Sequence, residues 1–168
     1  GAADYVYLRN IISHNIPDEK GIILDYEVWL KYKSISGNCY PLFSLSEYLN
    51  VEEKSNKINF IRIYFNEIDD FNINDSISDS TIVLISETNN LNGYYEQRAL
   101  FCELINRNCN IPVIIKRNYC ENEKEDFQLK SAADTGGLFL DGLGDGIWLT
   151  NKGKIGIKDI NSIAFGIL

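Results

Sequence analysis

Eight short apolar runs recur along the chain, each bounded by polar residues: 5–9 (YVYLR), 21–25 (GIILD), 40–44 (YPLFS), 59–65 (NFIRIYF), 81–86 (TIVLIS), 112–117 (PVIIKR), 137–141 (GLFLD) and 146–149 (GIWL). Most are near-continuous in aliphatic and aromatic side chains and do not alternate with polar ones. Strands buried on both faces of a parallel sheet read this way. Between them, a helix is predicted over 93–107, where Tyr95, Ala99 and Cys102, and Leu100 and Leu104, return at three- and four-residue steps behind an Asn-rich opening. Further helices are predicted over 27–33, 45–54, 124–133 and 157–168, with 66–80, rich in Asn, Asp and Ser, as a long loop or short irregular helix.

Strands alternating with helices over the whole length define an α/β chain with parallel pairing. Two architectures fit. One is a shrunken or degenerate TIM-like (β/α) barrel, whose usual size is about 250 residues. The other is an open, doubly wound sheet of about five or six strands, which a length of 168 residues taken alone favours. No internal repeat and no Pro- or Gly-rich linker divides the chain, so residues 1–168 read as one domain.

Composition narrows the function classes. Sixteen Lys plus Arg against twenty-four Asp plus Glu give a net charge of −8, which offers no basic footprint for a phosphate backbone or an anionic membrane. No apolar run nears the roughly 18 residues a spanning helix needs, and no basic-then-apolar leader opens the chain. Nucleic acid and membrane are therefore not expected partners. The chain has no Met, starts Gly1-Ala2-Ala3 and ends on the apolar segment 162–168 without a capping residue. Both ends are expected to be cuts, the domain being excised from a longer protein and Gly1 a cloning remnant.

Candidate chemistry is sparse. Cys39, Cys102, Cys109 and Cys120 form no C-x-x-C pair, and reduced, mostly buried thiols account for them. His14 is the only histidine and lies beside Asn15 and Pro17 in a polar stretch, where a solvated side chain is expected. The densest local pattern is 136–150, in which Gly142, Gly144 and Gly146 interleave with Asp141 and Asp145. Two carboxylates there could bind a cation or act as acid and base, and a tight turn with Asp side chains bonded to their own backbone also explains them. Lys116 and Arg117 close a strand, either as a phosphate contact at a barrel mouth or as a solvated rim.

The segment 136–149, GGLFLDGLGDGIWL, closely resembles the end of the insert domain of three-domain 4-hydroxy-3-methylbut-2-enyl diphosphate synthases, iron–sulfur enzymes of the non-mevalonate isoprenoid pathway. Similar stretches lie at 5–9, at 98–106 with Ile111-Pro112-Val113-Ile114 after it, and at 162–168, so the resemblance spans nearly the whole chain. It implies a cytoplasmic oxidoreductase built from a catalytic barrel, this insert and a domain whose three cysteines and a glutamate hold a 4Fe–4S cluster. That parent opens 2-C-methyl-D-erythritol 2,4-cyclodiphosphate reductively with electrons from ferredoxin or flavodoxin. The cluster ligands lie outside this segment, so the chain itself is expected to carry no catalytic residue, metal or cofactor.

The resemblance also implies an origin by duplication. The catalytic barrel of such enzymes ends in a similar run, Gly-(Ile/Leu)-Gly-Asp-Thr-Ile-Arg-Val-Ser, whose Arg and Ser look placed to hold the substrate diphosphate. Here the signature loop Asp141, Gly142, Gly144 and Asp145 remains, while Gly146 stands for the Thr, Trp148 for the Arg and Thr150 for the Ser. Tryptophan offers one donor and no charge where arginine offers a fork of five. Lys116, Arg117, Trp148 and Thr150 then read as a vestigial anion site, with Trp148 expected to be largely buried, and a duplicated, shrunken barrel becomes the favoured fold. The expected role is a structural insert holding the catalytic barrel and the cluster domain of the same chain. The alternative is a regulatory or phosphometabolite-binding domain at the strand C-termini, around Lys116, Arg117 and Asp145.

Overall fold

The computed structural model describes residues 3–9, 20–34, 37–71 and 80–168. Seven strands, β1 (Tyr5–Leu8), β2 (Gly21–Asp25), β3 (Cys39–Ser44), β4 (Asn59–Ile63), β5 (Ile82–Ser86), β6 (Val113–Tyr119) and β7 (Gly146–Asn151), form one sheet. Each pairs in parallel with the next in chain order. A doubly wound sheet reverses direction at a switch point. This one never does: the strand order follows the chain order throughout, and the described helices pack on one face of the sheet.

A sheet wound in one direction curls. Although the hydrogen-bonded ladder is open between β1 and β7, the rings of Tyr7 and Trp148 meet across that seam with centroids 5.1 Å apart. Tyr5 of β1 likewise reaches Phe60 of β4, 5.1 Å away. The result is a half-barrel whose inner face buries Ile23, Leu42, Phe60 and Ile85 beneath Tyr7, Tyr40, Ile114 and Trp148. Both faces of the strands are thus apolar, which is why the runs in the sequence are continuous.

The outer face is covered by α1 (Tyr26–Tyr32), α2 (Leu45–Asn50), α3 (Gly93–Asn106), α4 (Lys124–Ser131), α5 (Gly137–Leu140) and α6 (Ile157–Ile167). Leu100, Phe101 and Leu104 of α3 pack on Ile61, Ile63, Leu84, Val113 and Ile115. Ile160 and Ile163 of α6 pack with Phe127 of α4 on Tyr119 and Leu149. Ser44 and Glu47 form a reciprocal capping box that starts α2, and extended Val51 ends it well short of residue 54.

One of the eight expected strands is a helix. Residues 137–140 continue α4 through a π-helical turn, Ala132–Gly136, into α5. The run 137–141 is apolar but not buried on two sides: Leu138 is fully buried while Leu140 is 91% exposed. That one-sided burial suits a helix, and β6 pairs directly with β7. A 3₁₀ turn, Phe65–Glu67, opens the stretch expected to be irregular. His14 lies outside the described residues.

Candidate functional site

Ligands of barrel-like folds bind where the strands end. At that end the inner face carries one side chain per strand: Tyr7, Asp25, Ser44, Arg62, Glu87 just after β5, Lys116 and Trp148. Strand alternation puts Asp25, Ser44, Arg62 and Glu87 each two residues beyond a buried apolar residue of the same face, Ile23, Leu42, Phe60 and Ile85. Tyr7 Oη donates to Asp25 Oδ1 at 2.9 Å. Tyr64 Oη donates to Glu87 Oε2 at 2.8 Å, and Lys116 Nζ donates to Glu87 Oε1 at 2.5 Å. Lys116 Nζ also stands 4.5 Å from the centre of the Trp148 ring, whose other neighbour is Tyr7. Burial, and then Asp25 and Glu87 respectively, push the phenols of Tyr7 and Tyr64 above their ordinary range.

The expected site residues divide over three places. Lys116 and Trp148 are register neighbours at the mouth. Trp148 is only half-buried, because it packs on the apolar cluster of the inner face from above while Lys116 and Tyr7 meet it at an open rim. Thr150, further up the same face, donates to Asn118 Oδ1 at 2.6 Å. Arg117 points to the opposite face, since successive strand residues alternate.

There Arg117 is 95% buried. An exposure of 5% leaves it almost no water, and Nη2 donates to Asp134 Oδ2 at 2.7 Å and to the Leu91 carbonyl at 3.3 Å. A Cβ on Gly93, the first residue of α3, would collide with this guanidinium and with Thr88. Asp134 sits in the π turn and also accepts from Tyr119 Oη at 2.9 Å. Burial first, and then Asp134, raise the Tyr119 phenol far above the ordinary tyrosine value of 10.0. The folded chain therefore holds that proton more tightly than the unfolded chain. The stability this group contributes is expected to be constant below about pH 10 and to be lost above it, because the unfolded state deprotonates first. In urea unfolding at increasing pH, Tyr119→Phe should flatten much of that fall, leaving a smaller part from Tyr5, Tyr7 and Tyr64. An unchanged slope would refute the assignment.

The signature loop lies at the other end of the sheet. Gly142 has φ +74 and sits just past α5, with Gly142 N bonding Phe139 O at 3.0 Å and Leu143 N bonding Leu138 O at 2.9 Å. This is the Schellman ending, which needs a left-handed residue at that position. Gly144, at φ +90, passes so close to Ile115 that a Cβ would stand 2.7 Å from Cδ1. Asp145 clips the start of β6: its N–H donates to Val113 O at 2.8 Å, and its Oδ2 accepts from Val113 N at 2.8 Å. Asp141 pairs with Arg98 at the surface. Residues at the strand N-termini stabilise a barrel and do not do its chemistry. Asp145→Ala leaves the Val113 N–H, on a residue 3% exposed, without its acceptor and is expected to cost about 1–3 kcal/mol in urea unfolding.

Among the described residues no group of three or more His, Cys, Asp or Glu is placed to hold a metal. Cys39 is buried on β3, Cys102 is exposed on α3, Cys109 is half-buried and Cys120 is exposed. Scattered over separate elements, they do not fit an iron–sulfur cluster. No described helix is long and apolar enough to cross a membrane. Sequence reasoning missed Asp25, Arg62, Tyr64, Glu87 and Asp134. The signal for the mouth residues was present: several apolar runs end in, or are followed by, one polar residue in step with the buried face.

Sequential parallel strands, outer helices and a polar, aromatic mouth define a barrel-type α/β domain. Comparison of the whole sequence goes further. Over 165 residues, 98% of the chain, it is 33% identical to a 4-hydroxy-3-methylbut-2-en-1-yl diphosphate synthase (flavodoxin) of Parabacteroides distasonis and 32% identical to that of Bacteroides thetaiotaomicron. Over 93 residues it is 34% identical to that of Protochlamydia amoebophila. Nearly all of the chain thus matches one segment of these synthases, spanning 26% of the length of the first two relatives. No family model matches the chain, and no solved structure matches it significantly.

Proposed function

We propose that this chain is a non-catalytic insert domain of a 4-hydroxy-3-methylbut-2-enyl diphosphate synthase, which holds a catalytic barrel and a 4Fe–4S domain at working separation within one polypeptide. The parent enzyme reductively opens 2-C-methyl-D-erythritol 2,4-cyclodiphosphate in the cytoplasm, with flavodoxin, the donor named for the relatives, or ferredoxin supplying electrons. The observation that carries this reading is the coverage: nearly all of the chain aligns with about a quarter of each synthase. The rest of each relative is long enough for both other domains. The geometry agrees with a structural role, since the signature loop is engaged in capping and strand clipping, and Arg117, the expected anion contact, is locked under α3.

The test is made on an intact relative. In the Parabacteroides distasonis synthase, the matching segment is replaced by a short Gly/Ser linker and specific activity is followed on dilution. The intact enzyme should keep its activity, and the shortened one should lose it, regaining activity at high concentration as the domains of two chains serve each other. A shortened enzyme whose activity is equal and independent of concentration would overturn the proposal. As a check that does not depend on the deletion folding, a folded Lys116→Gln equivalent in the intact enzyme should keep kcat and KM, and a loss of kcat would give the segment a chemical role.

A further inference from the structure

Most side chains around the mouth are engaged with a neighbour: Tyr7 with Asp25, Ser44 with Glu47, Glu87 with Lys116 and Tyr64, and Trp148 with Tyr7 and Lys116. Arg62 is the exception. Its Nε is buried with no hydrogen-bond partner, although the residue as a whole is only half-buried. Among the described residues it forms no ion pair. It stands on the central strand, in register with Ser44 on one side and Ile85 on the other, and two residues beyond the fully enclosed Phe60.

Charge does not single it out: Lys116 and Glu87 neutralise each other, and Asp25, which the Tyr7 phenol bonds without neutralising, offsets the Arg62 guanidinium, so what sets Arg62 apart is its unpartnered Nε. A guanidinium donor that has given up water without a replacement carries an unmet desolvation cost. Its planar fork matches an oxyanion, and apolar walls such as Phe60 and Ile85 strengthen that attraction. We infer that the mouth of the half-barrel is a binding site for a small oxyanion, phosphate or carboxylate, seated on Arg62 with Lys116 completing the positive side of the rim. The site shares Lys116 with the vestigial anion site expected from the sequence, but it is built on Arg62, which that expectation did not include. It is also independent of the spacer role, because a spacer can carry such a site or lack it.

The experiment uses the 168-residue chain, with Arg Nε–H resonances followed by NMR during titration with sodium phosphate, sodium acetate or sodium chloride at constant ionic strength. Phosphate or acetate should shift the Arg62 Nε–H saturably and raise Tm, while chloride should not. Stronger binding of phosphate assigns the site to a phosphate-bearing ligand, and equal or stronger binding of acetate assigns it to a carboxylate. Arg62→Gln should weaken the oxyanion by about tenfold or more, the worth of one charge-assisted hydrogen bond. Glu87→Gln, which removes the competing carboxylate, should tighten it. Equal responses to all three salts, or undiminished binding by Arg62→Gln, would overturn the inference. If Arg62→Gln does not fold, the Nε–H titration of the parent chain decides.

Discussion

Replacing Asp134 by alanine is expected to destabilise the chain by about 3 kcal/mol, as read by urea unfolding. The size follows from what is left behind. The Arg117 side chain is 6% exposed and that of Asp134 23%; removing the carboxylate strands a buried cation that keeps only the Leu91 carbonyl as an acceptor. Breaking a fully buried pair costs about 3–5 kcal/mol, and the partial exposure of Asp134 puts this one at the lower end. Tyr119 loses its acceptor in the same step. Adding Arg117→Met to Asp134→Ala should recover part of the loss, because the stranded charge is then gone. A double variant less stable than Asp134→Ala alone would mean that the guanidinium contributes by packing under α3 and not through its charge.

Phe60→Ala is expected to cost about 3–5 kcal/mol, the usual range for emptying an enclosed aromatic position. Phe60 is 1% exposed although it points to the concave side of a sheet whose ladder does not close. Its cover comes from curvature: Tyr5 reaches it from β1 at 5.1 Å and Tyr40 from β3 at 6.3 Å. Were the inner face wet, the substitution would remove little buried area and cost about 1 kcal/mol. The same measurement therefore tests the fold and the residue together. A loss that small would mean that β1 stands away from the rest of the sheet in solution.

The strands were readable because a two-sided burial pattern leaves little ambiguity: all seven appear as apolar runs whose ends fall within two residues of the observed bounds. The run 137–141 misled because four or five apolar residues have no measurable period, and whether both sides are buried depends on distant elements. Lys116 and Arg117 could have been separated from sequence alone, since consecutive residues of a strand face opposite ways. Their partners could not. Glu87 meets Lys116 from another strand across a contact that no local pattern encodes. Asp134 reaches Arg117 only because a π turn inserts an extra residue into a helix, a shift in phase that composition does not announce.

The sequential winding also fixes where the polypeptide enters and leaves. β1 starts at the strand N-terminal end of the sheet, and α6, following β7 after a short loop and packing back along it, runs down to the same end. Because β1 and β7 border one seam, the two leads emerge near each other beneath it, with the mouth at the far pole. In a longer polypeptide such a domain hangs from two adjacent tethers and does not stand in line like a rod. On the proposed spacer role, the separation of the flanking segments would then be set by the footprint of its base.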